Sequence, residues 1–127
     1  MRTITISIMV LRVAVLLALI LGILFWTGNF QNLTLIHMLL GFIVVISLWV
    51  IGLAQGFTKG GSFGLAVATF VVGLLLAIVG LYQDNWLPGS AHWVIQVIHL
   101  LLGLSAIGLG EMTAARTRRR LQVQQQL

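Results

Sequence analysis

The chain has no cysteine and only two acids, Asp84 and Glu111, among 127 residues. Without cysteine there is no disulfide, zinc–thiolate site, thiolate-ligated iron–sulfur cluster or thiol nucleophile, whatever the compartment. Charge is scarce overall: 7% of residues are charged, against about 25% in an ordinary soluble domain. With 60% hydrophobic residues and a mean hydropathy of +1.12, the chain cannot cover its own surface with polar groups, so a water-soluble globular fold is all but excluded and the excess must face lipid. Seven Lys and Arg give a formal net charge of +5, which in a soluble protein would raise nucleic acid as a partner. Here the basic residues sit at the ends of apolar runs, where an anionic membrane surface is the simpler partner, and no nucleic-acid role is expected.

What is abundant is uninterrupted apolar sequence. A spanning helix needs about 20 mostly apolar residues, and four such stretches are cut out by polar breaks, at residues 6–28, 33–55, 62–82 and 90–113. Hydrophobicity is continuous within each run and does not alternate, so helices are expected and a β-barrel is not. The breaks read TGNFQN, GFTKGG and QDNWLPG, rich in residues that stop helices and make turns. Connections this short make sequential helices antiparallel neighbours. The expected fold is an all-α, integral membrane, up-down four-helix bundle over residues 1–115, followed by a basic, Gln-rich tail over 116–127 that is expected to fray. The first run lacks a small-residue cleavage site after it and reads as a retained anchor.

Lys and Arg set the direction, because cytoplasmic ends carry the positive excess. Arg2 and Arg12 precede or enter the first helix, Lys59 separates the second from the third, and Arg116, Arg118, Arg119 and Arg120 follow the fourth, while the other two connections carry none. Both termini are expected on the cytoplasmic side of a cell (inner) membrane. Trp26, Trp86 and Trp93 then fall at the outer boundary, where aromatic belts occur. Arg12 and Glu111 both fall toward the cytoplasmic side. Either they pair across helices one and four or each reaches water alone.

The second and fourth helices share a pattern. Ile36-His37-Met38-Leu39-Leu40-Gly41 aligns with Ile98-His99-Leu100-Leu101-Leu102-Gly103 at an offset of 62 residues, both reading I-H-x-x-x-G. His37 lies 22 residues before Lys59, and His99 lies 17 to 21 before Arg116 and Arg120. At about 1.5 Å of rise per residue, the two imidazoles share a depth in the outer half, as duplication of a helical hairpin would produce. Two imidazoles at one depth can hold a metal between them. Haem iron accepts a neutral imidazole on each axial face, an apolar bundle can enclose the porphyrin, and Gly41 and Gly103, four residues after each ligand, leave room for the ring edge. The alternatives are hydrogen-bonding structural histidines, a proton relay or a different metal. His92 lies about 10 Å above His99 on nearly the same face; it is read as a solvated interfacial residue, with a haem propionate or a second metal as its other possible partners. Trp93 beside it reads as belt, and Gln96 as a donor to a propionate or an external partner.

One haem-ligating histidine on the second helix and one on the fourth, in the outer half of four spans, resembles one half of the haem A synthase family, itself a duplicated four-helix unit; small four-helix b-type cytochromes share the logic. The resemblance implies haem b held by His37 and His99. In that family a glutamate precedes the second-helix histidine by three residues and an arginine follows it, where this chain has Thr34 and Met38, and a loop cysteine pair is missing. Haem-modifying chemistry would want an acid near the haem edge, and none adjoins either histidine in sequence. The expectation is therefore electron transfer or haem carriage, leaning away from an enzyme, with the lipid bilayer and haem as partners and a redox protein, a quinone or a second copy as candidates. The rival reading is a cofactor-free structural or assembly subunit or a small transporter. Exporters of this size use an acid in the first helix, where this chain has Arg12. Most of the 14 glycines are expected to serve helix packing, and Trp49 and Phe70 to be core or lipid-facing aromatics.

Overall fold

Hydrocarbon cannot hydrogen-bond a peptide group, so a chain this apolar must satisfy its backbone within helices. A computed structural model covering residues 1–127 is built in this way: α1 spans Arg2–Trp26, α2 Thr34–Gly56, α3 Phe63–Tyr82 and α4 His92–Gln125, with short 3₁₀ turns at Gln31–Leu33, Gln83–Asn85 and Gly89–Ala91 and no strands. All four helices are long and apolar enough to cross a membrane. Consecutive helices pack as antiparallel neighbours, α1 closes against α4, and α2 and α4 also meet across the diagonal. The N-terminus, the α2–α3 connection and the end of α4 therefore share one end of the bundle, the basic end. The other two connections form the histidine end.

The tight α2–α3 connection is organised by Gln55, which is fully buried. Its amide donates to the Ser62 carbonyl at 2.6 Å and accepts from the Ser62 N–H at 2.9 Å, while the Ser62 hydroxyl caps α3 by accepting from Leu65 N–H at 3.2 Å. A Cβ at Gly61 would fall 2.2 Å from the Gln55 carbonyl oxygen, so only glycine lets the chain turn this closely.

The fourth helix corrects the expectation of a frayed tail. α4 does not stop near Thr113 but continues to Gln125. Nothing after Gly110 breaks it, and Arg, Leu and Gln are strong helix formers. Its extension is also docked: Thr113, Ala114 and Thr117 are buried, the Arg120 guanidinium donates to the Thr58 hydroxyl and the Gln55 carbonyl, and the Gln124 amide donates to the Lys59 carbonyl at 2.9 Å.

The packed core lies toward the basic end. Ile4, Ile8 and Leu11 follow the i, i+4, i+7 stripe of one helix face and meet Val45, Leu48 and Ile51 of α2 and Ala106 and Ala114 of α4. Gly110 brings α4 against α1, since a Cβ there would lie 2.4 Å from Leu11. Trp49 donates its indole N–H to the Phe70 carbonyl at 3.1 Å and stacks on the Phe70 ring at 5.2 Å, placing both aromatics in the α2–α3 contact.

Of the two arrangements open to Arg12 and Glu111, the structure has the pair. The guanidinium meets the carboxylate through two bonds, Nε to Oε1 at 2.5 Å and Nη2 to Oε2 at 2.9 Å, tying α1 to α4. Removing one partner strands a lone charge against lipid, which costs more than removing both. Arg12→Leu or Glu111→Leu alone is expected to lower the melting temperature in detergent more than the double substitution does; equal or additive losses would show that the pair does not bind.

Candidate functional site

His37 stands near the start of α2 and His99 near the start of α4, so the diagonal approach of these helices brings their side chains together at the histidine end. The ring centroids are 6.1 Å apart with the planes inclined at 62°. Both Nδ1 atoms are buried and have no hydrogen-bond partner. Phe25 closes on His37 edge-on at 5.3 Å. Such isolation is costly for a buried polar nitrogen, as it is for Thr113 Oγ1 and Arg120 Nε, the buried atoms without a partner at the basic end.

The rings open into a cavity of about 460 Å³, within the roughly 300–1,000 Å³ usual for ligand sites. α1 and α3 contribute small side chains to it, Ala18 and Gly22 from one and Ala77 and Gly80 from the other. These glycines back the histidines: a Cβ at Gly22 would lie 3.5 Å from Cε1 of His37, and one at Gly80 would lie 3.2 Å from Cε1 of His99. Each hairpin thus repeats one device, a glycine on its first helix behind a histidine on its second. That supports the hairpin repeat suggested by the shared I-H-x-x-x-G pattern. Gly41 and Gly103 also line the cavity, and a Cβ on either would meet no atom within 4 Å.

Toward the histidine end the lining becomes polar, with Gln31, Thr34, Gln83, Asp84, His92 and Gln96. The Gln31 amide donates to the Phe25 carbonyl at 2.9 Å and the Thr34 hydroxyl to the Gln31 carbonyl at 2.7 Å, so both are held at the rim. His92 begins α4 with Nδ1 3.2 Å from the Trp86 carbonyl oxygen. Trp26 also lines this end, while Trp93 is exposed and outside the cavity.

All five residues singled out from sequence, His37, His99, Gly41, Gly103 and His92, border this one cavity. Sequence reasoning missed Gly22 and Gly80 as backing residues; they pair only at an offset of 58, four residues short of the 62 that aligns the histidines. It also missed Asp84, which no linear reading places near a histidine but which the α3–α4 connection brings to the cavity rim. No group of three or more His, Cys, Asp or Glu side chains is arranged to hold a metal ion. The two imidazoles could supply two ligands to a metal, which would need its remaining ligands from a chelator. Comparison with known protein families, with curated proteins and with solved structures finds no match to this chain.

The glycines separate into two kinds by what surrounds them. A Cβ at Gly73 would lie 2.4 Å from Trp49 Nε1, as one at Gly110 would from Leu11; overpacking of this sort costs about 1–3 kcal/mol. Gly73→Ala and Gly110→Ala should lower thermal stability in detergent. Gly41→Ala and Gly103→Ala should leave the unliganded protein as stable or slightly more so, since alanine favours helix by about 1 kcal/mol. Equal destabilisation of all four would show that the space beside Gly41 and Gly103 is not open.

Proposed function

We propose that this protein binds one haem b between His37 and His99 in the outer half of a membrane-embedded four-helix bundle, and serves in electron transfer or haem carriage. The observation that carries the reading is the close pair of imidazoles whose Nδ1 atoms are buried without a hydrogen-bond partner. A metal–nitrogen distance of about 2 Å plus a ring radius of about 1 Å on each side gives a centroid separation near 6 Å for two axial ligands, and the observed value is 6.1 Å. With no cluster of three or more His, Cys, Asp or Glu side chains to cage a metal, a metal held by His37 and His99 would come with a chelator, as in a porphyrin. The open ground beside Gly41 and Gly103, four residues after each ligand, suits the edges of such a plate. The absence of cysteine leaves no residue for covalent thioether attachment, which favours haem b. His37 and His99 would hold the group, which would supply one-electron transfer chemistry there.

The chain's own part is to exclude water from the two ligands, hold their rings with Gly22, Gly80 and Phe25, and keep the porphyrin edge toward the polar rim. This agrees with the resemblance to one half of the haem A synthase family and to small b-type cytochromes. Thr34 and Met38 stand in the places of that family's glutamate and arginine, so the reading stops short of haem-modifying catalysis even with Asp84 at the rim. The basic residues support an orientation with both termini in the cytoplasm of a cell with the protein in its inner membrane. A redox protein or a quinone would complete electron transfer.

Protein purified from haem-replete cells, or reconstituted with haem b, should show a Soret band and the sharp reduced α and β bands of a low-spin bis-imidazole centre. His37→Ala and His99→Ala should each abolish the low-spin spectrum, and Gly41→Ala and Gly103→Ala should weaken haem retention in otherwise stable protein. A colourless preparation that takes up no haem would sink the reading and favour a cofactor-free subunit. Unchanged spectra in both histidine variants would move the ligands elsewhere.

A further inference from the structure

The charge distribution along the bundle conflicts with the ligand just proposed. Haem carries two carboxylates, yet no Lys or Arg lines the cavity, and no Lys or Arg occurs between Arg12 and Lys59 or between Lys59 and Arg116. The one fixed charge at the rim is negative, Asp84. Gln31, Thr34, Gln83 and Gln96 are neutral. His92 is the single rim residue able to become a cation.

The setting of His92 determines how it could do so. A carbonyl oxygen only accepts, so the 3.2 Å contact between Nδ1 and the Trp86 carbonyl places the ring proton on Nδ1 and leaves Nε2 as a bare acceptor in the neutral ring. A carboxylate is also an acceptor. It can pair with Nε2 only after that atom gains a proton, and the imidazolium then holds the Trp86 carbonyl through one nitrogen and the carboxylate through the other, in a charge-assisted bond.

Resting on the haem reading, we propose that His92 is the carboxylate-binding residue of this site and that it takes up a proton when an anionic porphyrin binds. The other ionisable groups facing the site are Asp84 at the rim and His37 and His99 below it. Protonating the last two would weaken iron ligation as pH falls, the opposite sign to the effect expected from His92. Protonating Asp84 would favour an anion, with the same sign as His92. Comparing haem with its dimethyl ester cancels the iron–imidazole contribution, because both ligate through the same iron and only one carries carboxylates.

The test is spectroscopic titration of the detergent-solubilised protein with haem and with its dimethyl ester across the imidazole range, about pH 6 to 8. The affinity of haem relative to the ester should fall as pH rises, by up to about tenfold per pH unit, the limiting slope for one linked proton. His92→Gln keeps a donor that does not titrate, so it should retain the low-spin spectrum with both ligands and lose the pH-dependent difference. Parallel profiles for haem and ester in the unaltered protein would overturn the proposal, as would a difference that survives in His92→Gln. Loss of the difference in Asp84→Asn but not in His92→Gln would assign the proton to the acid instead. If neither porphyrin gives the bis-imidazole spectrum, the haem reading itself fails and this inference falls with it.

Discussion

A polar group surrounded by hydrocarbon must find its partner within the chain, because lipid offers none. The backbone meets this demand as four helices. The polar side chains of the basic half meet it one by one: Gln55 closes on Ser62, the Trp49 indole on the Phe70 carbonyl, Arg120 on Thr58 and the Gln55 carbonyl, and Arg12 on Glu111. Each of these contacts also joins two segments of the fold. Polar satisfaction and tertiary structure are therefore achieved largely by the same bonds; the buried side-chain atoms left without a partner are Nδ1 of His37 and His99 at one end and Thr113 Oγ1 and Arg120 Nε at the other.

Along its axis the bundle divides into a filled half and a hollow half, and the residues account for the division. Where α1 carries Ile4, Ile8 and Leu11 and α2 carries Leu48 and Ile51, branched side chains interlock and the space between the helices is occupied. Further along α1 and α3 the inward positions hold Ala18, Gly22, Ala77 and Gly80, and the space is left open. In the filled half glycine admits a neighbouring helix, as Gly110 admits Leu11. In the hollow half Gly22 and Gly80 admit the histidine rings, while the space beside Gly41 and Gly103 is filled by nothing from the chain.

The architecture was legible because a hydrophobic run of spanning length has few alternatives once lipid is the solvent. The histidine pair was legible because the I-H-x-x-x-G pattern occurs twice at matched distances from the basic ends. What escaped linear reading depended on which faces of separate helices meet. The register of α1 against α4 decides whether Arg12 and Glu111 pair, and composition alone could not choose. The extension of α4 escaped because a run of arginines and glutamines looks solvated, whereas Thr113 and Thr117 turn one face of it toward the α2–α3 connection. Asp84 reached the cavity through the course of the α3–α4 connection, which sequence spacing does not encode.

Positive residues are confined to one end of the bundle, and this constraint reaches beyond topology. A bundle that keeps Lys and Arg at the proposed cytoplasmic end and opens its chamber at the other must receive a ligand without permanent cationic side chains. Apolar enclosure can hold the body of a porphyrin, but the carboxylates need donors, and amides or a protonated imidazole are what the rim supplies. On the proposed reading, His37 and His99, whose Nδ1 atoms have no hydrogen-bond partner, would hold the metal, and His92, whose Nδ1 meets the Trp86 carbonyl, would answer the ligand's charge. One type of side chain would then serve two roles seven residues apart on α4, at His92 and His99.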